Sequence, residues 1–290
     1  MVGMNLRIAF FSFAMAAALH GQQSGALTAR QVIERIQAHV GVPWRGETVD
    51  TFKAGDPETR VTGIATTMMA TYDVLVRAAA AGKNLIITHE PTFYSHLDRT
   101  EAFEKEHDAV WAEKERFIKE HNLVVWRFHD HWHMMKPDGI MFGVVRALQW
   151  QKFQSATEPN LFVVPEMTVA QLAEQMKTRL GIHVLRFVAN PQMKITKVAL
   201  APGASGPERH LKLLRRDDVE VLGIGEVPEW ETIEYVTDAV SEGKKKALIL
   251  LGHIPSEQPG MEYCAEWLKT FVSEVPVEFI ATKEPFLLAK

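Results

Sequence analysis

Short apolar strands alternate with amphipathic helices along the chain, and this alternation constrains the fold more than any other feature. The apolar strand segments 84–88, 123–128 and 247–251 are each followed by a segment with helical spacing, at 102–120, 140–149 and 262–272 respectively. An order of this kind is typical of the α/β class, in which helices cover the faces of a sheet. We therefore predict an α/β fold.

The order of elements repeats in the second half of the chain. A capping box beginning at Thr28 opens a helix in the first half, and a second box beginning at Thr168 opens one in the second half. Each half later presents an apolar strand that ends in His, and a last strand at 277–281 closes the chain. We predict two related α/β lobes, residues 23–155 and 156–290, from element order and not from repeated sequence.

The first 22 residues have the pattern of a secretory signal peptide. Arg7 precedes a short apolar run, and small residues follow that run. The run is too short to span a bilayer comfortably, and a buried N-terminal helix is the alternative. We expect residues 1–22 to be removed as a signal peptide. The mature protein would then be periplasmic or secreted and would have no membrane segment. If the signal assignment fails, a cytoplasmic protein is expected.

Composition argues against a nucleic-acid-binding protein and against a fold held together by cysteines. The net charge of −4 offers no basic surface for nucleic acid. Cys264 is the single cysteine, which excludes an internal disulfide and a thiolate-type zinc cage.

Side chains that can bind metals stand where three apolar strands end. In an open α/β sheet, ligands bind at the carboxyl ends of the strands, so three such strands predict one polynuclear metal site. Taken singly, each of these residues could instead be a hydrogen-bonded structural side chain, and the segment 129–133 could be a polar loop. The candidate residues are His89, Glu90, His129, His131, His133, His253 and Glu257.

Imidazole and carboxylate together favour Zn, Fe, Mn, Co or Ni over Ca or Mg. Two such ions close together need a bridging carboxylate, and Glu257 could provide it if the chain turns into a helix after His253. Within 129–133, a strand would place all three histidines on one face, whereas a helix would group His129 with His133. A pair of divalent ions lowers the pKa of bound water to about 7.

The glycine-rich turn 202–206 has two readings. Its backbone amides could hold an anion at the start of a helix, or it could be an ordinary tight turn, which we favour. It lacks the Gly-Lys-Ser/Thr ending of a Walker loop, and the chain has no Gly-x-Ser-x-Gly elbow of a serine hydrolase.

The segments 88–93, 129–133 and 252–257 resemble the three metal motifs of the Nif-three-like family, and 223–227 is similar to a Gly-Glu-Val stretch of that family. Its members are often labelled "GTP cyclohydrolase I type 2" or "dinuclear metal centre hexameric protein". The resemblance implies two α/β lobes with a dinuclear site in the cleft between them, and assembly into a ring-shaped homohexamer.

Residue by residue, the resemblance aligns His89 with the first His of a His-His-Pro motif and places Glu90 where the second His is usual. His129 matches the His of a His-x-x-x-Asp motif, and His133 stands at its Asp. The remaining two, His253 and Glu257, match the last His and the bridging Glu. The chain thus has Glu in place of one family His and His in place of one family Asp. Its total numbers of histidine and carboxylate residues in the motifs are unchanged.

The sequence supports two functions of different kinds. The first is a dinuclear metal-dependent hydrolase of an unknown small molecule, in which His129 or His131 transfers protons. Two divalent ions would then be held by His89, Glu90, His133, His253 and Glu257. The second is a non-catalytic metal-binding ring scaffold. A metallo-β-lactamase-like hydrolase is weaker, because Met134 and Met135 replace the Asp-His that usually continues the motif.

Overall fold

A computed structural model describes residues 27–289 and contains two five-stranded sheets with helices packed around them. The strands are β1 (Phe52–Ala54), β2 (Ile64–Thr67), β3 (Leu85–Thr88), β4 (Val124–Arg127), β5 (Leu161–Thr168), β6 (Arg186–Val188), β7 (Lys194–Ala201), β8 (Val221–Ile224), β9 (Ala247–Leu250) and β10 (Val277–Phe279). The predicted α/β class is confirmed.

In the part of the chain that the structure describes, ten α-helices connect and cover the sheets. They are α1 (Ala29–His39), α2 (Tyr72–Ala80), α3 (Glu101–Glu106), α4 (Ala109–Glu120), α5 (Asp130–Met134), α6 (Gly139–Leu148), α7 (Val169–Leu180), α8 (Pro207–Leu214), α9 (Glu234–Ser241) and α10 (His253–Leu268). Both predicted capping boxes are present, at the start of α1 and of α7. Within residues 27–289, no helix combines the length and the apolar character needed to cross a membrane.

Each sheet has a parallel centre. The first has the order β1-β4-β3-β2-β10, in which only β1 is antiparallel to its neighbour, and the second has the order β5-β7-β8-β9-β6 with both edge strands antiparallel. Every residue of β2, β3, β4, β8 and β9 is buried, as expected for strands covered on both faces. The parallel strands of each sheet therefore end at one edge.

The last strand returns to the first sheet. β10 pairs in parallel with β2, with Val277 opposite Ile64. The segment that the sequence assigned to the second lobe thus completes the first sheet. The proposed division near residue 155 stays a prediction for the rest of the chain.

Two helices differ from those predicted. The helix expected at 102–120 is interrupted where His107 adopts a left-handed φ of 53° and Asp108 caps the start of α4. The helix expected at 262–272 begins much earlier, at His253, because α10 continues through Pro259. The prolines of this segment obscured its helical character in the sequence.

Helix α10 crosses α6 at backbone contact. A Cβ atom added to Gly143 would lie 2.3 Å from the Pro259 carbonyl oxygen, and one added to Gly260 would lie 2.5 Å from the Cα of Ile140. Because a larger residue at either glycine would separate the helices, this crossing fixes α10 against the first lobe. The helix starts at the end of β9 in the second sheet, so it connects that sheet to α6.

Candidate metal centre

The strand ends of both sheets converge on one cluster. His89 and Glu90 directly follow β3, and His129 follows β4 with His133 one helical turn further on, in α5. His253 opens α10 after β9, and Glu257 lies on the next turn of that helix. The Nε2 atom of His253 is 3.2 Å from Glu90 Oε1, which joins the two lobes at the site.

The four histidines share one orientation. Each has its Nδ1 atom directed at a fixed oxygen, which leaves Nε2 facing the cluster, the arrangement that outer-shell partners impose on metal-binding imidazoles. The Nδ1 contacts are His89 to the Phe128 carbonyl at 3.0 Å, His129 to Asp130 at 2.9 Å, His133 to Asp138 at 2.9 Å and His253 to Glu226 at 3.5 Å.

Potential ligand atoms form two overlapping groups. In the first, the atoms of His89, His129 and His133 all lie within 4.8 Å of one another, and in the second the same holds for His89, Glu90 and Glu257. His89 belongs to both. A mixed set of imidazoles and carboxylates at these separations suits a transition-metal ion.

Three buried atoms of the cluster have no hydrogen-bond partner: His89 Nε2, His253 Nε2 and Glu257 Oε2. The carboxylate oxygen lies 3.6 Å from His89 Nε2 and 3.2 Å from His253 Nε2, close enough for ion pairing but without hydrogen-bond geometry. Leaving buried polar atoms unpaired costs about 1–3 kcal/mol each. These residues fit bound cations, which would satisfy the unpaired atoms.

The electrostatics of the two lobes' histidines differ. Burial, reinforced by His133 and His129, holds the pKa of His89 well below its usual value, so this imidazole is neutral and able to ligate. Burial also opposes protonation of His253, but the carboxylates of Glu226, Glu257 and Glu90 outweigh it and raise its pKa to about 12. The carboxylates that favour a proton on His253 would also favour a metal cation in the same place.

His131 lies outside the cluster. It is fully buried, its Nδ1 is 2.6 Å from Asp50 Oδ2, and its Nε2 accepts a hydrogen bond from the Arg45 amide at 2.9 Å. Its ring stacks on Trp44 with centroids 3.6 Å apart. Both ring nitrogens are engaged within the protein, and these contacts anchor the segment that carries His129 and His133. Proton transfer by His131 stays a prediction.

The turn 202–206 supports Glu257. Gly203 has a φ of +64°, and a Cβ atom there would lie 2.1 Å from Glu257 Oε1. Its amide donates to the Ser256 hydroxyl at 3.1 Å, so it is not available to an anion. The structure favours the tight-turn reading, in which the glycine makes room for the carboxylate.

Comparison with known proteins places this geometry in a family. The family model described as Duf34/NIF3 (NGG1p interacting factor 3) matches residues 44–285. The chain belongs to the Duf34/NIF3 family. The resemblance inferred from the metal motifs is therefore confirmed.

Individual relatives of this Duf34/NIF3 chain agree with that assignment. A "GTP cyclohydrolase 1 type 2 homolog" of Clostridium perfringens (strain 13 / Type A) is 25% identical over 242 residues, which are 79% of this chain and 86% of the relative. A hypothetical protein of Staphylococcus aureus has a TM-score of 0.71 at 18% identity, covering 90% of this chain and 99% of that one. A Bacillus cereus protein related to NIF3 has a TM-score of 0.70 at 14% identity, covering 91% and 99%. The structural matches establish the fold.

Membership of the Duf34/NIF3 family corrects the expected location. The relatives of this chain do not support export, so the prediction of a periplasmic or secreted protein is wrong. The segment 1–22, on which that prediction rested, lies outside the described residues.

Sequence reasoning missed the residues that orient the ligands. Asp138 caps α6 through Oδ1 and contacts His133 through Oδ2. A helix cap already accounts for an Asp at this position, so nothing in the sequence indicated the second contact. Asp130 stands beside His129 without any pattern of its own. Glu226 lay in the Gly-Glu-Val stretch that resembles the family, and this was the one available signal.

Proposed function

We propose that this protein is a metal-dependent hydrolase that binds two divalent transition-metal ions and acts on a small molecule. The observation that carries the proposal is the set of unpartnered buried atoms, one each on His89, His253 and Glu257, facing one another across the two lobes. Divalent ions bound there would polarise an electrophilic group and make a water molecule more acidic.

The two overlapping ligand groups support a pair of ions. One ion would be held by His89 and His133, and the other by Glu90 and His253, with Glu257 between them. We assign proton transfer to His129, whose side chain is 24% exposed and whose Nδ1 is oriented by Asp130. His129 also lies within ligand range, so it could instead complete the three-imidazole group.

The name of the Clostridium relative indicates a cyclohydrolase, and at 25% identity we leave the substrate of this protein open. The homohexameric ring implied by the family resemblance is part of the same proposal, and the molar mass in solution tests it. If the protein binds its ions but hydrolyses nothing in a broad substrate screen run with and without chelator, the non-catalytic ring scaffold is favoured instead.

The Glu257→Gln variant tests the proposal directly. The amide keeps the size of the side chain but removes the charge needed between two cations, so we expect ion content to fall from about two per chain to one or none. The variant should remain folded, because Glu257 Oε2 makes no hydrogen bond that the substitution would break.

Elemental analysis and circular dichroism provide the measurements. Glu262→Gln, an exposed substitution on the same helix, is the matched control and should keep its ions. Unchanged ion content in the Glu257 variant, or wild-type protein without ions when purified free of chelators, would contradict the proposal.

A further inference from the structure

A cavity opens beside the metal cluster on the side of the first lobe. Its volume is about 390 Å³, and Glu90 and His253 form the part of its wall that belongs to the cluster. The rest of the lining combines apolar, hydroxyl and aromatic side chains with one cation. These residues include Met69, Thr71, Pro91, Tyr94, Ser95 and Lys114.

The cation in this wall, Lys114 of α4, is buried without an acidic partner. Its side chain donates to the Thr92 carbonyl at 2.5 Å, and the residue is 4% exposed. Across residues 27–289, no carboxylate oxygen lies within 4.0 Å of its nitrogen. The charged group that acts on it most is Asp98, which lies 3.4 Å from Lys53 and accepts from the amides of Thr92 and Phe93.

Another buried lysine shows the usual arrangement. Lys83 is 5% exposed, and its nitrogen pairs with Glu278 at 2.8 Å. A buried ammonium without such a partner is unfavourable, and burial lowers the pKa of Lys114 to about 8. The group still carries its proton at neutral pH, and an ammonium has three donors, of which the Thr92 carbonyl uses one.

The ring of Tyr94 stands next to this lysine, with its centroid 5.2 Å from Lys114 Nζ. Tyr94 has a φ of 51°, a conformation that is uncommon for a residue with a bulky side chain. It is 55% exposed and forms part of the cavity wall. Strained backbone of this kind is concentrated at functional sites. The position of the Tyr94 ring in the cavity wall therefore points to contact with a ligand.

We infer that this cavity is the substrate site, in which Lys114 binds a carboxylate or phosphate of a small organic anion and Tyr94 contacts the body of that molecule. The inference rests on the proposed function. The divalent ions proposed beside this cavity would also attract an anion. The anion would bring its reactive part close to Glu90 and His253.

The test measures anion binding to the ion-loaded protein by isothermal titration calorimetry. The probes are inorganic phosphate and benzoate, which represent the two possible anionic groups. The variant is Lys114→Met, which keeps the length of the side chain without its charge. The control is Lys119→Met, an exposed lysine on the same helix.

We expect wild-type protein and the Lys119 variant to bind at least one probe, and the Lys114 variant to bind it at least 10-fold more weakly, as for the loss of a charge-assisted hydrogen bond. Ion content should be equal in all three. Lys114→Arg, which restores the charge, should recover part of the binding, and Tyr94→Ala should weaken benzoate more than phosphate.

The outcomes separate the two proposals. Equal probe binding by wild-type protein and the Lys114 variant, with ions retained, would overturn the substrate site and leave the metal proposal standing. Failure of ion-loaded wild-type protein to bind either probe would do the same. Absence of ions from wild-type protein would instead reject the proposed function, and with it this inference.

Discussion

Replacing Gly203 with Ala tests whether the turn 202–206 sets the position of the bridging carboxylate. The new Cβ would lie 2.1 Å from Glu257 Oε1, so reaching an ordinary contact of 3.4 Å requires a movement of about 1.3 Å. The turn cannot easily withdraw, because Gly225 packs against the Gly203 backbone from another side and the Glu226 amide donates to the Gly203 carbonyl at 3.1 Å. Glu257 must therefore move.

A movement of that size exceeds what coordination tolerates, since metal–ligand distances vary by only about 0.2 Å. We expect the affinity for the ion at Glu257 to fall at least 10–100-fold, the loss typical of removing a supporting contact. The left-handed backbone adds a penalty of about 1–2 kcal/mol to the free energy of unfolding, independent of metal.

Gly181→Ala is the matched control for this experiment. Gly181 has the same φ of +64° but nothing within 4 Å of the added Cβ. It should show the backbone penalty in urea denaturation of the metal-free protein and bind ions like wild type in a chelator competition. Equal ion affinity in the two variants would refute the argument that Gly203 makes room for the carboxylate.

Two further predictions concern residues outside the ligand set. His131→Ala should lower the free energy of unfolding by about 3 kcal/mol, because it removes the buried hydrogen bond between the imidazole and the Asp50 carboxylate and leaves the Arg45 amide without a partner. Ion content should stay at the wild-type level, and loss of ions without loss of stability would instead place His131 among the ligands. Burial, with a contribution from Arg209, lowers the pKa of His210 to about 4, so the unfolded chain takes up this proton first as the pH falls. Stability should therefore drop by on the order of 3 kcal/mol from pH 6.5 to 4, and a His210→Gln variant with an equally steep drop in its denaturation curves would contradict this.

The positions of the candidate ligands were predictable because a local rule places them. A side chain that follows a buried parallel strand lies at the carboxyl edge of its sheet, and this rule places His89 and Glu90 at the edge of the first sheet and His253 at the edge of the second. The position of Glu257 followed from helical spacing, and α10 begins at His253 as that prediction required. These arguments need only neighbouring residues and the direction of a strand.

The surroundings of His131 could not be predicted from the spacing of the histidines, because they depend on residues far away in the chain. The segment forms helix α5, so His129 and His133 share a face while His131 points away from it. Asp50, which binds the ring of His131, lies 81 residues earlier in the chain. The return of β10 to the first sheet is another long-range pairing, and no local pattern distinguishes it from a strand of the second lobe.

The two exchanges relative to the family's motifs each have a partner in the structure. Glu90, where a second His is usual, has Oε2 3.2 Å from the guanidinium of Arg127, a fully buried residue that also donates to the His89 carbonyl at 3.0 Å. At the other exchange, His133 stands in place of Asp and is bound by Asp138. A positive charge thus accompanies the added carboxylate, and a negative charge accompanies the added imidazole.

The two exchanges therefore alter the atoms that face the cluster. The local charge stays close to balance, because Glu90 is paired with Arg127 and His133 with Asp138. Arg127 draws one oxygen of Glu90 away and leaves the other 3.2 Å from His253 Nε2, so Glu90 can offer a single oxygen as a ligand. Asp138 takes Nδ1 of His133 and leaves Nε2. Each exchanged residue therefore presents one potential ligand atom to the cluster, and this is a physical reason to expect that the cluster can hold a metal ion.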